Sequence, residues 1–108
     1  MSLILYFSFI YMNKFKNISV EEAKELIRAD HYLIDIRDEE SFSNSHIGGA
    51  LNLSNANIDE FIKNSKPNKV TIIYCYKGIS SQDAAHYLSS QGFKDVYSVD
   101  GGFEEWEK

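Results

Sequence analysis

Val70-Thr71-Ile72-Ile73-Tyr74-Cys75-Tyr76-Lys77-Gly78-Ile79-Ser80-Ser81 is the stretch that decides the fold. Residues 70–74 are the strongest central-strand signal after the N-terminus, a run of aliphatic, β-branched and aromatic side chains. A short loop leads straight into a helix predicted over residues 81–91, with Gly92 in the position that ends it. Upstream, Ser19-Val20-Glu21-Glu22 is a capping-box pattern, and Val20, Ala23, Leu26 and Ile27 recur at helical spacing, which predicts a helix over 19–29. Residues 32–35 are a short apolar run ending in a carboxylate and read as a buried strand. Residues 38–45 are polar, one helical turn and a loop. Gly48 and Gly49 break the chain before a second short strand over 50–53. Ile58, Phe61 and Ile62 mark a helix that ends before Pro67, the only proline. Downstream, residues 96–99 form another strand and 103–108 a terminal helix. Strands and helices alternate, so the predicted class is α/β with a largely parallel sheet.

The 108 residues suffice for one domain. Seven Phe, seven Tyr and a hydrophobic share of 44% supply a core and exclude global disorder. Sixteen acidic against eleven basic residues give a net charge of −5, which argues against a nucleic-acid partner. One cysteine leaves no intrachain disulfide and no Cys-rich zinc site, and a reducing, cytoplasmic location is the expectation. Residues 3–12 stand apart, with Ser8 their only polar side chain if the tyrosines count as apolar. They reach about half the length of a bilayer span, so no membrane span is predicted. They also lack a basic leading region and a cleavage site. Their composition reads as a strand apolar on both faces, which needs cover. Added to the sheet edge of a second copy, it would make a homodimer. Met12 is an equally good start, which would make residues 1–11 an extension. The predicted division is an apolar N-terminal extension over 1–14 and a folded domain over 15–108.

Chemistry is expected where the buried strand ends. In an open parallel sheet, sites form beyond the carboxyl ends of the strands, and Cys75 sits there. The following helix start offers unpaired N–H groups and the positive end of its dipole. A loop curled around Cys75 can aim those donors at the sulfur and favour a thiolate. Lys77 adds positive charge and Asp83 opposes it, so the expected shift of the thiol pKa is downward. Gly78 allows the loop a conformation closed to other residues. Position alone leaves the alternative of a buried structural cysteine open.

The loop Cys75-Tyr76-Lys77-Gly78-Ile79-Ser80-Ser81 resembles the active-site loop of the rhodanese family: Cys, two variable residues, Gly, one residue, then a small hydroxyl residue or Arg. Asp35-Ile36-Arg37 leading to Ser45-His46-Ile47-Gly48-Gly49-Ala50 resembles the family's N-terminal motif, although Ser45 stands where Gly is usual and Gly49 where Pro is frequent. Val99-Asp100-Gly101-Gly102-Phe103 with Trp106 resembles its C-terminal motif. Together these span residues 15–108, and the likeness is greatest to single-domain bacterial members. The resemblance implies a three-layer α/β/α domain with a mainly parallel sheet of about five strands. It also implies a sulfurtransferase with no cofactor. The Cys75 thiolate would take sulfur from thiosulfate or another sulfane donor, and the persulfide would pass it to cyanide, a thiol or a dithiol. The loop from Tyr76 through Lys77, Gly78, Ile79 and Ser80 to Ser81 would hold the persulfide anion with N–H groups and the two serine hydroxyls, while Lys77 attracts the donor. A relay taking sulfur from a donor protein is the alternative.

Phosphatases and arsenate reductases of related fold use Cys, five residues, then Arg to clamp a tetrahedral oxyanion. Six positions after Cys75 stands Ser81, which carries no such charge. His31, His46 and His86 show no metal-ligand spacing, and no metal is expected. His46 reads as a structural histidine near the site. Asp35 and Arg37 read as an ion pair fixing the strand end, with acid–base work as the alternative. Phe103 and Trp106 read as core anchors of the last helix, and Glu104, Glu105 and Glu107 as a solvated face.

Overall fold

The structure, a computed structural model, describes residues 14–108. The strand expected within residues 3–12, and the homodimer built on it, lie outside the described residues. Five strands form one sheet: β1 (Lys16–Ile18), β2 (His31–Asp35), β3 (Leu51–Asn52), β4 (Val70–Tyr74) and β5 (Val96–Val99). Every pairing is parallel, and the spatial order is β1-β5-β4-β2-β3. The stretch read first therefore opens with the middle strand. The helices are α1 (Val20–Leu26), α2 (Glu39–Asn44), α3 (Ile58–Asn64), α4 (Ser80–Ser90) and α5 (Gly102–Trp106). No helix among the described residues is long and apolar enough to cross a membrane.

Alternation along the strands divides the core into two layers. One face carries Leu33, Ile72, Tyr74 and Val99, covered by Val20 and Ala23 of α1, Phe42 of α2 and Phe103 of α5. The other carries Ile34, Ile73 and Val96, covered by Phe61 of α3 and by Ala85 and Leu88 of α4. Both faces are buried, which is why β4 is apolar but for Thr71 instead of alternating. Ile34, Ile72 and Ile73 are wholly excluded from solvent. Truncating any of them to Ala would cost about 2–5 kcal/mol.

Local signals explain the element starts. The capping box at Ser19 is formed in both directions: Glu22 N–H donates to Ser19 Oγ at 3.1 Å, and Ser19 N–H donates to Glu22 Oε1 at 2.9 Å. Asp38 caps α2 by accepting from Ser41 N–H at 3.1 Å. Several boundaries depart from the sequence reading: β2 starts at His31 and not at residue 32, and α5 runs Gly102–Trp106 and not 103–108. The helix predicted to reach residue 29 ends at Leu26, because Ile27 closes it as C-cap. The strand predicted over 50–53 pairs only at Leu51 and Asn52. The loop after β4 passes into α4 at Ser80, one residue early. β1 was not foreseen at all: Lys16-Asn17-Ile18 buries only Ile18, and as an edge strand it needs no apolar alternation.

Candidate active site

Cys75 follows β4 directly, beyond the carboxyl end of the central strand, with 7% of its surface exposed. The chain then bends around the sulfur. Gly78 N–H points at Cys75 Sγ at 3.2 Å and Ser81 N–H at 3.3 Å. Ser81 Oγ lies 3.3 Å from the same atom. Burial pushes the Cys75 thiol pKa up, but the Ser81 hydroxyl and the N–H groups of Ser81, Gly78 and Ile79 outweigh it, so the pKa lies below the ordinary thiol value. The lowering comes from hydrogen bonds. The Lys77 charge anticipated from the sequence is not among these causes.

Two glycines make the curl possible. Gly78 has φ +90°, and a Cβ there would sit 2.6 Å from Gly101 N. Gly102 has φ +58°, and a Cβ there would collide with the carbonyl oxygens of Cys75 and Tyr76. That close approach lets α5 hold the loop from outside. Phe103 N–H donates to Cys75 O at 2.8 Å, and Glu104 N–H donates to Tyr76 O at 3.0 Å. With its first two carbonyls tied to α5, the loop presents N–H groups on its inner side.

The remaining expected site residues fall into three groups. Ser81 is fully buried, while Ser80, Tyr76, Lys77 and Ile79 are exposed. Tyr76 shows 51% of its surface and Ile79 72%, so two large apolar side chains rim the sulfur site. The Ser80 hydroxyl makes no hydrogen bond to the sulfur; of the two serines, only Ser81 reaches it. Asp35 and Arg37 form the ion pair anticipated for them. Asp35 is fully buried, Arg37 Nη2 lies 2.7 Å from its Oδ2, and Arg37 N–H donates to Oδ1 at 2.8 Å. Burial lowers the Arg37 pKa, but the hydrogen bonds and charge of Asp35 override it and the pKa is raised. The guanidinium also donates to Ser45 O at 2.6 Å and lies 4.1 Å from the ring centre of Phe103. His46 Nδ1–H donates to Phe42 O at 2.8 Å, and its ring stacks on Phe42 at 3.8 Å. Arg37 and His46 thus brace the loop before β3, and Arg37 also packs on α5.

One buried polar residue beside the sulfur site escaped the sequence reading. Ser98 of β5 is fully buried, and its Oγ lies 2.8 Å from Ser81 Oγ. A serine inside a strand that is otherwise Val-Tyr-Val was the available signal. Beside the loop's far end, Ser80 and Asp83 also line an open cleft of about 690 Å³ between α3 and α4, where Tyr87 OH donates to Asp59 at 2.7 Å. Among the described residues, no group of three or more His, Cys, Asp or Glu could hold a metal ion.

Comparison with known proteins agrees with this geometry. The sequence profile of the rhodanese-like domain matches residues 19–108. The thiosulfate sulfurtransferase GlpE of Shewanella oneidensis is 47% identical over 98 residues, covering 90% of this chain and 97% of that protein. GlpE of Pseudomonas putida strain F1 is 49% identical over 96 residues, covering 88% of this chain and 87% of that protein. Among solved structures, a rhodanese-like domain protein from Staphylococcus aureus superposes with a TM-score of 0.75 at 24% identity, over 85% of this chain and 91% of that one. A rhodanese-related protein from Thermoplasma volcanium gives 0.74 at 25% identity, over 86% of this chain and 91% of that one. A single cysteine in an N–H cradle at the head of a five-stranded parallel sheet, with kinship along nearly the whole described chain, makes this protein a member of the rhodanese-like family.

Proposed function

We propose that the chain is a thiosulfate sulfurtransferase that carries sulfur on Cys75. The observation that carries this reading is the cradle itself: a nearly buried sulfur with two backbone N–H groups and one hydroxyl within 3.3 Å, and a pKa pulled below the ordinary thiol range. Such a site favours the thiolate, and a thiolate already formed needs no general base. The relatives named thiosulfate sulfurtransferase, aligned over most of the chain, support the same substrate.

The Cys75 thiolate attacks the outer sulfur of thiosulfate. A new S–S bond forms, the S–S bond of thiosulfate breaks, and the bonding pair leaves with sulfite. Cys75 then bears a persulfide whose negative outer sulfur lies within reach of the loop N–H groups, as an oxyanion does in its hole. Cyanide or a thiol attacks that outer sulfur, takes it away, and returns the thiolate. Lys77, exposed at the loop, supplies the charge that attracts the dianionic donor. The exposed Tyr76 and Ile79 favour an acceptor large enough to bury them, such as a protein thiol. Asp35 and Arg37 have no proton to move in this scheme, and their mutual pairing suits a bracing role.

Phosphoryl chemistry lacks its clamp. Ser81 occupies the position an arginine would need, and it is fully buried against Ser98. The deciding experiment is intact mass after incubation with thiosulfate. A gain of one sulfur, lost on adding cyanide and absent in Cys75→Ala and Cys75→Ser, is expected. A protein that gains sulfur only from a donor protein is a relay, and one that gains none, or gains it without Cys75, contradicts the mechanism.

A further inference from the structure

Behind the cradle lies a second hydroxyl that never meets the substrate. Ser81 Oγ sits between two atoms, Cys75 Sγ at 3.3 Å and Ser98 Oγ at 2.8 Å. Ser81 and Ser98 are fully buried, and no side-chain nitrogen or oxygen buried among the described residues lacks a partner. Register explains the contact. Ser98 pairs with Ile73 of β4 and points to the same face as Val96, the face that α4 covers. Ser81, in the first turn of α4, is thereby set against β5.

A serine hydroxyl has one proton to donate and lone pairs to accept with. With Cys75 as a thiol, its S–H donates to Ser81 Oγ and the Ser81 proton turns to Ser98. With Cys75 as a thiolate, the sulfur has no proton, and Ser81 must donate to it. Ser81 Oγ then has lone pairs free toward Ser98, and the Ser98 hydroxyl turns round to donate into them. The thiol proton goes to solvent, and two hydroxyl rotations complete the change with no movement of heavier atoms. A hydroxyl that is itself donated to is a stronger donor. We propose that Ser98 is a positioning residue that fixes the direction of the Ser81 hydroxyl and so governs the reactivity of the Cys75 thiolate. This builds on the reading of Cys75 as the sulfur carrier.

Charged groups do not provide a competing explanation. The elements around the sulfur carry Lys77 on the loop, Asp83 on α4, Asp35 at the end of β2 with Arg37 just beyond it, and Asp100 and Glu104 around the start of α5. None of their side chains hydrogen-bonds to the sulfur. Among the described residues, the hydroxyl pair is the only side-chain chain of hydrogen bonds that reaches it.

Cys75 is the only cysteine, so alkylation by iodoacetamide reads it alone. The rate is measured against pH for Ser98→Thr and Ser98→Val, which share an outline and differ only in the hydroxyl. Ser98→Thr is expected to keep the natural midpoint. Ser98→Val should move it up by about half a pH unit, slowing alkylation about threefold below the midpoint. Ser81→Ala should move it further, and the Thr–Val difference should vanish in that background. Equal midpoints for Thr and Val, or a difference that survives Ser81→Ala, would overturn the proposal. If the branched pair fails to fold, Ser98→Ala against the natural protein reads the same contrast with the same two outcomes. The assay needs neither thiosulfate nor a persulfide, so a failure of sulfur transfer leaves its result intact.

Discussion

At Cys75 desolvation and hydrogen bonding oppose each other, and the hydrogen bonds win. The sign of the pH dependence follows. Because the pKa lies below that of an ordinary thiol, persulfide formation should rise with pH to a plateau reached earlier than for a free cysteine, measured as the single-turnover rate with thiosulfate. The ionised thiol also stabilises the fold above the ordinary thiol pKa, and this contribution is lost as pH falls through the depressed value. Lys77 is proposed to contribute differently. It is exposed, so Lys77→Ala should raise the thiosulfate KM more than it lowers kcat, and steady-state kinetics that leave KM unchanged would remove it from donor capture. At this scale Cys75 and Gly78 were legible because their chemistry is carried by residue type and spacing. Ser98 was not, since nothing along the chain says which α4 residue a β5 serine will face. That depends on strand register and helix phase together.

Between elements, the tightest joint is α5 against the loop. Gly102 allows the helix start to approach the carbonyls of Cys75 and Tyr76, and two N–H donors lock it there. Gly102→Ala forces that joint open, both by the collision and by its positive φ. The predicted result is a loss of kcat/KM of at least about tenfold, because the N–H groups turn off the sulfur, with a Cys75 alkylation midpoint that shifts upward. A variant whose α5 detaches without altering that midpoint would show that the loop holds its shape unaided. β4 and β5 were read from sequence at their observed bounds, because strands buried on both faces are mostly β-branched and aromatic, with Thr71 and Ser98 the one small hydroxyl residue of each. β1 was invisible for the opposite reason, with Lys16 and Asn17 exposed and a single buried anchor at Ile18. The ends of α1 and α4 differed from expectation by up to three residues, where Ile27 and Ser80 have side chains equally suited to helix and loop.

Across the whole molecule, every group assigned to the site lies between Asp35 and Glu104, around the carboxyl ends of β2, β4 and β5. A chain starting at Met12 should therefore keep full thiosulfate:cyanide turnover, checked by steady-state assay. A large loss would mean that residues 1–11 contribute to the site. The order β1-β5-β4-β2-β3 also keeps the reactive strand away from both sheet edges, so pairing with another chain at either edge leaves Cys75 in place. The cradle has one more consequence, for ionic strength. The Cys75 sulfur is held by uncharged donors inside a chain of net charge −5, and no cation among the described residues bonds to it. Mobile ions weaken interactions between separated charges far more than short, buried hydrogen bonds. Raising sodium chloride should therefore leave the titration midpoint of Cys75 where it is while weakening capture of dianionic thiosulfate by Lys77, so that brine separates the reactivity of the sulfur from the recruitment of its substrate.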